Sequence, residues 1–322
     1  ARIGQPLDWL VITDHSDAMG AMNEVVAGNP LLLADPTVRD WHERTNLGGA
    51  EGLEAAYEVV ESFTAGETPE VMLSREFQRQ IWDRVLEDAE EHNNPGRFTA
   101  IIGFEWTSTP EGNNLHRNVL FRDGAAKAGL VLPLTVAEGL DPRQLWAWME
   151  NYEAKTGGQM LALAHNGNLS NGIMFPVEKL EFGEETNADY VKARARWEPL
   201  YEYTQIKGDG EAHPFLSPND EFADYENWDT SNLGPDAKKD NMLQYEYARE
   251  ALKNGLRIED RFGTNPYKFG ASGATDSHTG MATAEENNFF GKHSQTEPNP
   301  KRMFEVVGHF PPTVWPGWYQ VA

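Results

Sequence analysis

LDWLVITDH, residues 7–15, decides how this chain reads. A run rich in Leu, Val and Ile stops at an aspartate and a histidine, Asp14 and His15. Such a run predicts a buried strand. A carboxylate and an imidazole at its carboxyl end predict chemistry, because α/β barrels and open α/β sheets keep their functional groups there. The pattern recurs. TAIIGFEW (99–106) carries Glu105, MLALAHNGN (160–168) carries His165, and FGASGATDSH (269–278) carries Asp276 and His278. HRNVLF (116–121) begins with one, His116. Five segments of one kind predict one shared site.

The chain has 322 residues, enough to bury a large core without disulfides. It contains no cysteine, so any metal is held by histidine and carboxylate rather than thiolate. Absence of cysteine is compatible with either redox compartment, and cytoplasmic and periplasmic or secreted locations both stay open. The net charge of −24 argues against non-specific nucleic-acid binding and against an anionic membrane surface. No apolar stretch approaches the ~18 residues of a membrane span.

Candidate strands are 8–13, 98–105, 117–121, 160–164, 200–206 and 269–275. Helical patterns lie between them. Ser74 is a plausible N-cap for residues 75–92, with Phe77, Ile81, Val85 and Leu86 forming an apolar stripe. Asp141-Pro142 opens a helix that Gly157-Gly158 closes. Met242, Tyr245, Ala248 and Leu252 predict a helix over 238–254 that stops at Gly255. Strands alternating with helices predict a parallel sheet. Stretches 16–73, 166–199, 208–236 and 280–316, rich in Asn, Gly, Pro and acids, read as insertions over one mouth of a single domain.

GFEWTSTPEGNNLHRNVLF (103–121) predicts a hairpin around Pro-Glu-Gly-Asn-Asn. Folded symmetrically, it sets Glu105 and His116 opposite or nearly opposite each other, close enough for one ion. Strand alternation puts Asn118 on the His116 face and turns Arg117 to the other. A fortuitous pair on a surface hairpin is the plainer reading of these two residues alone. His165 closes a buried run, where a histidine finds either a hydrogen-bond partner or a metal. Asp14-His15 and Asp276-Ser-His278 are stronger, because an unpaired aspartate just beyond a strand is costly to bury. Lys207 ends a strand beside the mouth, where a cation can meet an anion, with a solvated surface lysine as the alternative. Glu211 and His213 follow in the next loop. The tryptophans at 146 and 148 read as helix-packing residues.

The ordered set ITDH, GFE, HRNV, LALAH and ATDSH resembles the PHP (polymerase and histidinol phosphatase) superfamily of metal-dependent phosphoesterases. Within it the chain is most similar to the domain-of-unknown-function 3604 family, through TDH, GFEW, HRN, QIKGD-x-E-x-HP, LSPNDEFAD and NPYKFG…TDSHTG. The resemblance spans essentially the whole chain. It implies a distorted, TIM-barrel-related seven-stranded β/α barrel with two or three divalent ions of Zn, Mn or Fe. Transferred residue by residue, it implies that Glu105 bridges two ions, that His116 and His165 complete one, and that Asp276 serves its neighbour. It further implies His15 and His278 as ligands of a third ion and Asp14 as a partner orienting a ligand imidazole. Members of the superfamily open with a strand ending His-x-His. This chain has no such motif, and the expectation is that a first strand, and a C-terminal portion, lie outside it.

The activity implied is hydrolysis by metal-activated water, with Glu105, Asp276 and Lys207 as the catalytic candidates and a small, anionic ester as substrate. Arg117, Asn118, Glu211 and His213 stand as candidates for contacts around the site. Hydrolysis of a non-phosphate bond, or a binding domain without turnover, are the rival expectations.

Overall fold

The computed structural model describes residues 4–17, 19–234 and 236–278. The expected stretch 280–316 lies outside them. The chain opens with strand β1 (Trp9–Ile12), followed by helices α1 (Ala21–Ala27), α2 (Pro36–Leu47), α3 (Gly49–Ala65), α4 (Glu70–Leu73) and α5 (Arg75–His92). Strands β2 (Thr99–Trp106) and β3 (Arg117–Phe121) form the expected hairpin. Helices α6 (Ala125–Ala128) and α7 (Pro142–Thr156) lead to β4 (Met160–Ala164), and α8 (Ala188–Trp197) leads to β5 (Leu200–Gln205). A two-residue strand β6 (Gly208–Asp209), helices α9 (Asp240–Leu243) and α10 (Ala248–Phe262) and strand β7 (Gly270–Gly273) complete the described part.

Among the described residues the distorted seven-stranded β/α barrel that the resemblance implied does not close. The sheet is mixed and open, ordered β1-β2-β3-β4-β5-β6, with β7 on the other side of β5. β1 runs parallel to β2, and β4, β5 and β7 are mutually parallel, but β3 is antiparallel to both its neighbours. The physical cause is the hairpin. Residues 107–116 are too few for the crossover that a parallel strand needs, so β3 must turn back. β1 and β7 are not paired with each other, and Trp9 and Ile12 on β1 stay 56% and 54% exposed. The sheet is therefore a curled half-barrel.

All six strands predicted from the sequence are present, with ends shifted by at most two residues, and helices α5 and α7 begin where expected. Ser74 accepts the Phe77 N–H, and Asp141 with Gln144 forms a capping box closed at the far end by left-handed Gly157. The helix expected over 238–254 is two helices, and its supposed stop lies inside the second. The first N–H groups of α10 donate to the carbonyls of Gly210 and Glu211, so the helix starts anew at Ala248. Gly255 is there for close approach: a Cβ on it would lie 2.2 Å from Asn265 Oδ1. Gly263 (φ 72°) ends the helix instead.

Two of the expected insertions carry framework. Stretch 16–73 holds α1 to α4, which with α5 bury their own cluster around Val25, Leu32, Val38, Trp41, Val59 and Ile81. Stretch 166–199 contains α8, the crossover that joins parallel β4 and β5. The main core lies between the sheet and α5, α7 and α8. Trp82, Phe104, Phe121 and Tyr152 pack edge-on or tilted there, with Trp148 against Phe104 at 5.5 Å. Trp146 and Trp148 are packing residues, as expected. Buried among them, Arg117 Nε bonds Glu198 Oε1 at 3.0 Å and Arg194 meets Glu198 Oε2 at 3.1 Å. No helix of the described residues is long and apolar enough to cross a membrane.

Candidate metal centre

The site grows from the carboxyl ends of the strands. Past the end of β1, His15 pairs in parallel with Glu105 of β2. The backbone sets this closely: Glu105 N–H donates to the Asp14 carbonyl at 2.9 Å, and Ser16 N–H to the Glu105 carbonyl at 2.8 Å. In the hairpin Glu105 faces Asn118 directly and His116 lies diagonally beyond, near enough for its Nδ1 to reach Glu105 Oε1 at 2.7 Å. His165 follows β4 and stacks on His116, ring centroids 6.1 Å apart. Asp276 and His278 follow β7.

Glu105 is the centre. It is 4% exposed, and its Oε2 lies 3.5 Å from His15 Nδ1 while its Oε1 faces His116 and, at 3.7 Å, His165 Nε2. Ligand atoms of His15, Glu105 and His116 all lie within 4.8 Å of one another, a group that can hold a metal ion. His165 Nε2 is 3.9 Å from Asp276 Oδ1, which is 3.4 Å from His278 Nε2. The Lys207 ammonium rests on Asp276 Oδ2. Two residues here hold left-handed backbone without being glycine, Asn166 (φ 52°) and Asp276 (φ 49°). Such conformations are sparse outside glycine, least so for Asn and Asp, and cluster at functional sites.

The electrostatics suit a cation. Burial by itself would push the Glu105 carboxyl up, but His15, His165 and His116 outweigh it and hold it well below the usual range. Burial pushes the His116 imidazole down to about 4, against the pull of Glu105, so it is neutral at pH 7 and has a lone pair to offer. The set of imidazole nitrogens and carboxylate oxygens fits Zn, Mn or Fe and does not choose among them.

The structure thus brings His15, Glu105, His116, His165, Asp276, His278 and Lys207 together. Asn118 shares the face of Glu105, and its buried Oδ1 has no hydrogen-bond partner among the described residues. Arg117 points the other way, fully buried on Glu198. Asp14 contributes its main-chain carbonyl rather than a side chain on an imidazole, and is itself exposed. Glu211 is engaged by Arg249 at 2.8 Å, and His213 Nε2 by Asp229 at 2.8 Å. The residues that do orient the imidazoles lie outside the candidates that the sequence offers. Thr107 Oγ1 meets His15 Nδ1 at 2.9 Å, Thr109 Oγ1 meets His116 Nε2 at 2.8 Å, and Glu202 takes His165 Nδ1. Two threonines after GFEW, and one acid in an otherwise uncharged strand, are the signals the sequence carries.

Residues 1–310 match the family described as "Protein of unknown function (DUF3604)". The chain belongs to that family. No curated protein and no solved structure gives a significant match. Membership covers the described centre and leaves its chemistry to be argued from the residues.

Proposed function

We propose that this chain is a metal-dependent hydrolase of the PHP superfamily, acting on an anionic ester and best suited to a phosphoester. The observation that carries the reading is Glu105, a buried carboxylate among three imidazoles with Asp276 close by. Groups of this kind are costly to bury without a cation. Two or three bound divalent ions would lower the pKa of water and neutralise charge on a phosphoryl oxygen. The chain's own residues do the rest. Glu105 offers one oxygen to His15 and the other to His116 and His165. The Lys207 ammonium gives an anionic group a partner in a dry setting, where charge pairing is strong. His15 and His278, with side chains 41% and 38% exposed, are the solvent-facing members.

A second reading has its own support. Arg117, the other cation the motifs offered, is held by Glu198, so among the described residues Lys207 is the cation in contact with the cluster. A centre sparing in cations also suits a non-phosphate bond, or binding without turnover.

The test is hydrolysis of p-nitrophenyl phosphate and p-nitrophenyl acetate by the chain freed of metal and reloaded with Mn²⁺, Zn²⁺ or Fe²⁺, beside Glu105→Gln. Metal-dependent release from the phosphate ester, lost in Glu105→Gln, is expected. Preference for the acetate would favour the second bond class. Tight metal binding without turnover of either would make the protein a binding domain.

A further inference from the structure

We propose that Glu202 is the positioning residue for His165: it fixes the imidazole as the Nδ1–H tautomer and so presents Nε2 to a divalent cation. This rests on the metal-centre reading above. Glu202 lies in β5 and is 4% exposed, and its carboxylate takes Nδ1 of His165, which is 2% exposed. A carboxylate oxygen accepts from an imidazole N–H, so Nδ1 carries the hydrogen and Nε2 keeps its lone pair. The other side of the ring agrees independently. The amide Nδ2 of Asn166 donates to Nε2 at 2.9 Å, which requires that lone pair. Nε2 is also the nitrogen turned toward Glu105 Oε1 and Asp276 Oδ1, at 3.7 and 3.9 Å.

The fold aims Glu202 at this spot. The register of β5 against β7 breaks between Glu202 and Thr204, beside the site, and such breaks re-aim side chains. The neighbouring Tyr201 instead accepts the Gly167 N–H on its hydroxyl at 3.2 Å, tying β5 to the turn that carries His165 and Asn166. His165 is thereby unlike the other two imidazoles around Glu105. His116 finds a threonine hydroxyl on the nitrogen away from Glu105, and His15 turns one nitrogen to both Thr107 and Glu105, while His165 has a carboxylate of its own. A carboxylate behind a ligand imidazole fixes the ring and raises its basicity.

The experiment compares the chain with Glu202→Gln, which keeps an acceptor but loses the charge, and Glu202→Met, which loses both at similar size. Each is freed of metal and titrated calorimetrically with Mn²⁺ alone, and the metal-free imidazoles are read by ¹⁵N NMR. The expected result is affinity about 10- to 100-fold weaker in Glu202→Met, the scale for such outer partners, with Glu202→Gln between. His165 should be Nδ1–H in the unaltered chain and lose that preference in Glu202→Met. A merely structural role would move the melting temperature and leave the tautomer alone. Equal Mn²⁺ affinity in chain and variants, or an Nε2–H ring in the unaltered chain, overturns the assignment while leaving the metal centre standing. Failure of the unaltered chain to bind Mn²⁺, Zn²⁺ or Fe²⁺ overturns the metal centre and this inference with it. Should Glu202→Met not fold, unchanged affinity in Glu202→Gln overturns the assignment by itself.

Discussion

The imidazoles of His15 and His278 lie 5.7 Å apart, centroid to centroid, with their planes at 86°. Yet they follow β1 and β7, strands on opposite sides of the sheet that do not pair with each other. The curl of the sheet thus brings two distant parts of the chain to one spot, where no backbone ladder between β1 and β7 joins them. His15 also touches His116 edge-on at 6.0 Å, so the contact continues into the buried part of the cluster.

Metal binding should therefore stabilise the fold as well as complete the site. A ligand at about a hundred times its dissociation constant adds about 2.7 kcal/mol when it binds only the folded state. That amounts to several degrees in Tm for a chain of this size. Calorimetry with Mn²⁺ or Zn²⁺ should show that rise, chelation should reverse it, and His15→Ala should diminish it. An unchanged Tm at millimolar metal would count against a competent centre.

A second expectation concerns the buried charges beneath the site. Glu198 is held by Arg117 and Arg194, and Trp146 Nε1 donates to it at 3.1 Å. Burial would raise its carboxyl, but the two guanidinium groups outweigh that and hold it below the ordinary range. Glu198→Gln leaves two cations buried with one fewer anion and should cost about 3–5 kcal/mol. A depressed folded-state pKa gives stability that is present above the unfolded value, about 4.3, and lost as pH falls through the folded one. The deficit of Glu198→Gln in urea unfolding should accordingly be full at pH 7 and shrink under strong acid. A deficit that does not change with pH would contradict this.

Much of this was legible along the chain, because a strand ending in a ligand leaves both an apolar run and a polar stop. The strand set follows from that, and so does the meeting of His15, Glu105, His116, His165, Asp276 and His278, while Asp14, expected among them, gives only its main-chain carbonyl. The closed barrel does not follow, and the hairpin already spoke against it: a Glu105–His116 pairing across a short turn requires antiparallel strands, which an all-parallel barrel lacks. Helices α1 to α4 were hidden because Gly48, Gly49, Gly52 and Gly66 punctuate them and read as loop. Asp35-Pro36 was a helix start in plain view, with Asp35 accepting from Thr37 and Val38. Glu202 was invisible because its partner, His165, is 37 residues away in sequence and adjacent only once β4 and β5 lie side by side.

Gly255 tests the reading of helix α10. Alanine at an ordinary helix position gains up to about 1 kcal/mol over glycine. Here its methyl would press on Asn265, whose Oδ1 also accepts the Tyr267 N–H at 2.9 Å and so has little room to yield. Overpacking of this kind costs about 1–3 kcal/mol. Gly255→Ala should therefore be net destabilising in urea unfolding, and a more stable variant would mean that Asn265 gives way freely.

Lys207 is the residue whose replacement separates substrate binding from metal binding. It stands in the turn between β5 and β6, 7% exposed. Its backbone is anchored on both sides: its N–H donates to Gln205 Oε1 at 2.5 Å, and its carbonyl accepts Asn168 Nδ2 at 3.0 Å. A side chain on so fixed a base is well placed to meet an anion, and its present partner is Asp276. Lys207→Met keeps the apolar stem and removes the charge. A charge-assisted hydrogen bond is worth about 1.5–3 kcal/mol, so KM for p-nitrophenyl phosphate should rise about 10- to 100-fold. Mn²⁺ affinity should hold or improve, because Asp276 loses a competing cation. If KM does not move, Lys207 is no anion clamp. If metal affinity falls in step with activity, its work is to hold Asp276 in place.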